Sequence, residues 1–281
     1  MTNRRRLGLV IGSGGLKCAA AIGVLQVLEQ ENIPLNMIVG CSGGAAFGAS
    51  IAMGLSAEAI IKTFTQAWTR SSTGKFDIRS ILKIAVPEWV AFDDKIGILD
   101  DGGLVRGLVH AYGADASFAE TQIPFHAVAT DLHTGEAVVL SDGILVKALR
   151  ASAGIPILFK PVEWNGRWLI DGGLSNPLPV DVAIQQGADV IIAVGFETPL
   201  VQSVASPANF ALQMFNILIN QLLSRKFAFY NLAYHSEIIA IVPNFDREIR
   251  LKDVNEVPQI IEQGRKETLK HLTHLQRILF A

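Results

Sequence analysis

Short apolar runs alternate with helical patterns along most of this 281-residue chain. Residues 7–11 (LGLVI) hold no polar side chain, which predicts a strand buried on both faces. Residues 16–30 follow with Ile22, Leu25 and Leu28 on one side of a helix. A second strand is expected at 37–40 and a second helix at 43–53, with Ser56 placed to cap a helix over 56–69. Further strands are expected at 125–130, 136–140, 167–170, 189–195 and 237–242, and helices at 143–152, 178–187, 207–230 and 255–279. This alternation predicts an α/β fold: a mostly parallel central sheet flanked by helices on both faces.

The pattern fails over 70–100 and 197–206, where turn formers and mixed polarity dominate. The first stretch is long enough to be a lid or a loop bordering a site. There is no internal repeat, low-complexity segment or linker, so one domain is expected at this length. Half the residues are hydrophobic and the net charge is −2, which gives no general electrostatic attraction for nucleic acid. Arg4-Arg5-Arg6 precedes an apolar run that stops at Ser13, too short for a signal peptide. No stretch reaches the length a membrane-spanning helix requires. The two cysteines, Cys18 and Cys41, lie in glycine-rich turns and form neither a metal pattern nor a disulfide framework. The expectation is a cytoplasmic protein, and docking on a membrane surface is compatible with the same features. Oligomeric state is not legible.

Candidate chemistry starts where the second strand runs into its helix. Gly40-Cys41-Ser42-Gly43-Gly44 fits G-x-S-x-G, the spacing of a nucleophile elbow. Such an elbow places the serine on a tight strand-to-helix turn, with glycines two residues either side where side chains would collide; here these are Gly40 and Gly44. A glycine-rich turn without chemistry is the plain alternative. The loop after the first strand holds Gly12, Gly14 and Gly15, which invites comparison with the dinucleotide fingerprint G-x-G-x-x-G. Counted from Gly12, the third glycine is replaced by Lys17, and Asn32 and Asn36 stand where a ribose-binding acid is needed. The same loop suits an oxyanion hole, with the Gly14 and Gly15 amides free at a helix start. Lys17 is a candidate contact for an anionic substrate group; alternatively it faces water.

No histidine suits the role of base. His126 lies within a strand, His133 in a hairpin-like turn, and His110 has no better claim. His235 precedes a strand, the wrong end of a parallel sheet, while His271 and His274 lie on a charged helix. Asp-Gly-Gly occurs twice. Asp101-Gly102-Gly103 leads into a helical pattern, so Asp101 or Asp100 reads as an N-cap. Asp171-Gly172-Gly173 follows the strand RWLI and puts a carboxylate at a strand's C-terminal end, where a base belongs. A turn-forming aspartate is the alternative there. Burial would raise its low intrinsic pKa and make it a better base.

A glycine loop after strand one, G-x-S-x-G and a late D-G-G stand in this order, and together they resemble the patatin-like phospholipase family. The stretches FHAVATDLHTGEAVVLSDG (125–143), ALRASAGIPILFKPVEWNGRWLIDGGLSNPLPVDVA (148–183) and GADVIIAVG (187–195) resemble bacterial members, so the likeness covers roughly 6–196. It implies a three-layer patatin-like core over 6–196; the tail beyond carries no family signal, and its helical pattern makes 197–281 a mainly helical part of the same domain. It further implies a lipid acyl hydrolase with Ser42 as nucleophile, Asp171 as base of a Ser-Asp dyad, and Gly14 and Gly15 as oxyanion donors. No metal or organic cofactor is implied. The partner implied is a lipid or other acyl ester, with peripheral membrane contact compatible and nucleic acid not. The family's loop commonly reads G-G-G-x-[RK]-G; Ser13 and Cys18 replace its end glycines here. A reading from another class is an acyl-binding or regulatory protein that keeps the fold with little turnover.

Overall fold

The computed structural model describes residues 5–71, 77–85, 93–197, 199–200, 202–204, 206–233, 237–245, 247, 249–250 and 253–280. Strand β1 (Leu7–Ile11) leads through a 3-10 turn (Gly15–Ala19) into helix α1 (Ala20–Gln30). Strand β2 (Met37–Cys41) and helix α2 (Gly43–Ala52) follow, then α3 (Ala57–Ser71). As predicted, Ser56 caps α3, its hydroxyl accepting from Ala59 N at 3.3 Å.

One short helix lies within 70–100, where the sequence pattern fails, and a second follows it. Helix α4 (Ile78–Ala85) is capped by Asp77, whose carboxylate accepts from Ser80 N at 3.1 Å. Its apolar residues recur at helical spacing over barely two turns, too briefly to stand out. Helix α5 (Gly102–Tyr112) starts where a capping aspartate is expected, but the capping roles divide. Asp100 accepts from Gly102 N at 2.9 Å, whereas the Asp101 carboxylate accepts from Arg150 Nε at 2.7 Å.

The chain continues with β3 (Phe125–Asp131), β4 (Ala137–Leu140), α6 (Leu145–Ser152), β5 (Val162–Trp164) and β6 (Arg167–Asp171). It ends with α7 (Val180–Gln185), β7 (Val190–Val194), α8 (Pro207–Ala233), β8 (Glu237–Ile241) and α9 (Val257–Phe280). One sheet runs in the order β5-β6-β3-β2-β1-β7-β8, with β4 also paired to β3. Strands β3, β2, β1, β7 and β8 are parallel to one another; β4 and β6 are antiparallel to β3, and β5 is antiparallel to β6.

Alternation along the inner strands builds a core on each face. Leu7, Leu9, Ile11, Val190, Ile192 and Val194 point into the larger core, shared with α1, α2, α6 and α9. Val10, Val39, Ile191 and Ala193 point the other way, against Val180 and Val182 of α7 and Leu223 of α8. Helix α9 crosses α1 at backbone contact: a Cβ on Gly264 would lie 2.1 Å from the Ala20 carbonyl oxygen. A Cβ on Gly23 would lie 2.1 Å from that of Ile261.

Strand β3 changes neighbours partway along one edge. Ala127 and Val128 bond to β2 on one side and to β4 on the other. Ala129 and Thr130 bond to β4 and to β6. Since β4 keeps its edge throughout, β6 must take the edge that β2 vacates after Cys41. Strands β2 and β6 therefore meet end to end, with Ser42 just past one terminus and Asp171 closing the other.

Candidate active site

Ser42 stands between the last β2 residue and the first turn of α2, at φ 56° and ψ −123°. This positive φ is costly for a residue with a side chain, on the order of 1–3 kcal/mol, and must be held by its surroundings. Close packing enforces it. A Cβ on Gly40 would lie 2.5 Å from Ala45 Cα, and one on Gly44 2.3 Å from the Ile11 carbonyl oxygen. The turn can lie this low only because both positions lack side chains.

The Ser42 hydroxyl donates to Asp171 Oδ2 at 2.7 Å. Asp171 is fully buried and Ser42 nearly so, at 7 % exposure. The second carboxylate oxygen, Oδ1, accepts from Gly173 N at 2.8 Å. Asp171 N donates to the Gly154 carbonyl at 2.9 Å, and Thr130 Oγ1 donates to the Asp171 carbonyl at 2.8 Å. Gly172 brings this backbone close to β2 and β3: a Cβ there would lie 2.2 Å from the Val128 carbonyl oxygen and 3.0 Å from Cys41 Sγ. Burial raises the Asp171 pKa to about 7, outweighing the lowering by its hydrogen bonds from Ser42 and Gly173. A carboxylate poised there can accept a proton near neutral pH.

The loop after β1 is pinned at its start. Gly12 N donates to the Val194 carbonyl at 2.9 Å and Ser13 N to that of Pro177 at 2.8 Å. Gly14 and Gly15 then open the 3-10 turn, at whose start the first N–H groups have no partner within the helix. Gly15 lies against the elbow: a Cβ on Gly43 would be 2.9 Å from Gly15 N and 2.4 Å from its carbonyl oxygen. Gly14 packs on the Phe196 ring, which a Cβ would approach to 2.5 Å. The structure thus brings Ser42, Asp171, Gly40, Gly44 and the Gly14-Gly15 pair into one region.

Lys17 does not face water. It is 4 % exposed, and its ammonium donates to the Glu197 carbonyl at 2.9 Å, joining this loop to the segment after β7. Burial pushes the Cys18 and Cys41 thiols up, and Cys18 Sγ donates to the Gly12 carbonyl at 3.3 Å. Neither forms a thiolate near neutral pH. Among the described residues, no group of three His, Cys, Asp or Glu side chains could hold a metal ion.

Three of the described histidines have polar partners on other residues. His133 Nε2 lies 2.7 Å from Asp94 Oδ2, His274 Nδ1 lies 2.9 Å from Arg277 Nη2, and His271 lies beside Glu267. His126 is within β3, where burial lowers its pKa, and His110 lies in the last turn of α5. His235 is outside the described residues.

One contact at the site had no signal in the sequence pattern. The Ser42 N–H donates to Ser152 Oγ at 2.9 Å, and that hydroxyl donates to the Val128 carbonyl at 2.6 Å. Ser152 closes a short helix, and nothing in its local pattern points to a residue 110 positions away.

Helix α8 presents two faces. Ile219 and Leu223 are buried, and Gly173 lies close to Ile219 Cδ1; Phe210, Met214 and Leu218 are exposed at four-residue spacing. Ile217 and Leu222 are half-buried, and Arg225 is exposed. Lys226 Nζ donates to Asn176 Oδ1 at 2.6 Å and lies 3.3 Å from Asp181, tying α8 to the turn after Asp171. The Phe229 side chain lies outside the described residues. No described helix is long and apolar enough to cross a membrane.

Comparison with known proteins gives the following. A family model described as patatin-like phospholipase matches residues 9–184. An uncharacterized NTE family protein of Mycobacterium tuberculosis is 36% identical over 189 residues, 67% of this chain and 48% of that protein. Patatin-like phospholipase domain-containing protein 6 of Homo sapiens is 30% identical over 190 residues, 67% of this chain and 13% of that protein. The matched region therefore spans about half or less of these relatives. Among solved structures, VipD from Legionella pneumophila is 14% identical with a TM-score of 0.49, covering 96% of this chain and 67% of that one.

Proposed function

We propose that this chain, which belongs to the patatin-like phospholipase family by its match over residues 9–184, is a serine-dependent hydrolase of lipid acyl esters. The observation that carries the proposal is the 2.7 Å hydrogen bond from the elbow hydroxyl of Ser42 to the fully buried carboxylate of Asp171.

In this reading Asp171 Oδ2 takes the hydroxyl proton as Ser42 Oγ bonds to the ester carbonyl carbon. The carbonyl electron pair moves onto oxygen, and the Gly14 and Gly15 amides donate to the oxyanion. Collapse breaks the bond to the leaving alkoxide, which takes the proton from Asp171 and departs as an alcohol or lysolipid. Water then gives a proton to Asp171 and attacks the acyl carbon. A second collapse returns the proton to Ser42 and frees the fatty acid. The Ser42 N–H is already bonded to Ser152, so the oxyanion donors must come from the glycine loop and the start of α2.

Lys17 fits a supporting role, fixing the oxyanion loop against the segment at Glu197. The exposed stripe of Phe210, Met214 and Leu218, beside the helix face that covers Gly173, supports peripheral contact with a lipid surface. The test is hydrolysis of a short-chain nitrophenyl ester, then of phospholipid vesicles, by wild type and Ser42→Ala. Loss of ester hydrolysis in the folded variant is expected. Retained hydrolysis would overturn the reading, and a wild type that neither turns over esters nor reacts with a fluorophosphonate would favour an acyl-binding protein.

A further inference from the structure

We infer that Ser152 is a positioning residue, whose buried hydroxyl holds the Ser42 peptide in the strained conformation that aims Oγ at Asp171. The inference rests on the proposed Ser42-Asp171 dyad. Ser152 is fully buried at the end of α6, so it does not meet substrate. Its single oxygen accepts from Ser42 N at 2.9 Å and donates to the Val128 carbonyl at 2.6 Å.

The φ angle of Ser42 is rotation about its N–Cα bond, and the N–H direction turns with the peptide on that side. Pinning that N–H therefore restrains the peptide from which the strained φ of 56° is measured. The other end of the restraint is equally fixed. Val128 is the last β3 residue paired to β2, opposite Cys41, at the point where β6 takes over the edge. Two residues beyond Ser152, the Gly154 carbonyl accepts from Asp171 N at 2.9 Å. Residues 152–154 thus hold the backbone of both dyad members and set their separation.

Only a group that accepts and donates at one atom completes this link. Alanine removes both bonds and leaves a buried N–H and a buried carbonyl without their partner. Cysteine keeps the shape with a weaker acceptor and donor. A misplacement on the order of 1 Å at a reacting group can cost about 10²-fold in rate.

The experiment measures kcat and KM on a nitrophenyl ester, the rate of fluorophosphonate labelling and Tm for wild type, Ser152→Ala, Ser152→Cys, Ser50→Ala and Ser42→Ala. Ser50 is the control: it is also fully buried, but its hydroxyl bonds to Tyr112 at 2.9 Å on the far part of α2. In Ser152→Ala, kcat and labelling rate are expected to fall together by roughly 10- to 100-fold, with KM within about twofold of wild type. Ser152→Cys should lie between, and Ser50→Ala should lose Tm but keep kcat. Wild-type kcat and labelling in folded Ser152→Ala would overturn the inference, as would an equal loss of kcat in Ser50→Ala. If Ser152→Ala does not fold, Ser152→Cys decides by the same two rates. Failure of the dyad itself reads out separately, as hydrolysis that survives Ser42→Ala.

Discussion

Strands β2 and β6 meet end to end on one edge of β3, yet they belong to halves of the sheet built on different rules. In the parallel half, the central strands β2, β1 and β7 are buried on both faces along their whole length, while the edge strand β8 exposes Glu237. The antiparallel half is exposed along part of every strand: Arg167 at the start of β6 is exposed, as are Ala137 and Val139 of β4. Ser42 comes from the first half and Asp171 from the second. The serine is positioned by glycines within two residues that let α2 fold back onto β2 and β1, and by one long-range bond to Ser152. The aspartate is positioned mainly at longer range, by the register of an antiparallel strand and the bond to Gly154, with one local bond from Gly173. The difference teaches that the proposed nucleophile can be read from a short motif, while its proposed base depends on how two halves of a sheet are joined.

The strongest way to break that junction is to remove the proposed base without changing its shape. Asp171→Asn should fold and lose roughly 10²–10⁴-fold in kcat, the scale of a positioned general base. Steady-state kinetics on a short-chain ester checks it. A loss below tenfold would mean that Ser42 finds another proton acceptor.

The next test separates the halves. Gly43→Ala puts a methyl 2.4 Å from the Gly15 carbonyl oxygen, and Gly172→Ala puts one 2.2 Å from that of Val128. Each should cost about 10²-fold in kcat by displacing the loop or the base. Their Tm values distinguish misplacement from unfolding. An active Gly43→Ala enzyme would show that the glycine loop need not approach the elbow so closely.

The pH dependence sharpens the role of burial. With Asp171 held near 7, the rate should rise with pH through about 7 and fall about tenfold per unit well below it. Stability should respond in the opposite sense. The folded-state pKa lies above the unfolded carboxylate value of about 3.9, so the native chain binds this proton more tightly. The resulting stabilisation is full below about pH 4 and is lost as pH rises through 7. Asp171→Asn should therefore raise Tm relative to wild type more at pH 8 than at pH 5. An equal shift at both values would contradict a buried, neutral-favouring carboxylate.

The smallest effect on turnover is expected far from the junction. Gly264→Ala drives a methyl into the α1 backbone at 2.1 Å and should destabilise by about 1–3 kcal/mol, read by denaturant unfolding. Ester hydrolysis at low temperature should change less than twofold. A larger loss would tie α9, beyond the matched residues 9–184, to the site.

Much of this was legible in the sequence, for reasons that differ between the halves. Residues 7–11 and 190–194 announce themselves because burial on both faces demands unbroken apolar runs. Ser42 is marked by Gly40 and Gly44, and Asp171 by its place after an apolar strand. Besides the Ser152 contact, three features were hidden. The β2-to-β6 exchange on β3 is a matter of register, which no single segment encodes. Lys17 is buried because Glu197 offers a carbonyl 180 residues away, whereas local spacing leaves a solvent-facing position open. Asp101 precedes a helix, yet its carboxylate serves Arg150 of α6.

The central claim is that Ser42 is the nucleophile and Asp171 activates it. The most direct test is the rate of fluorophosphonate labelling in wild type and Asp171→Asn, followed across pH 5–9 with the modified residue identified by mass spectrometry. The expected result is modification at Ser42 alone, with a wild-type rate that rises through about pH 7 and a much slower rate in Asp171→Asn. Labelling at another residue, or equal rates in both folded proteins, would contradict it.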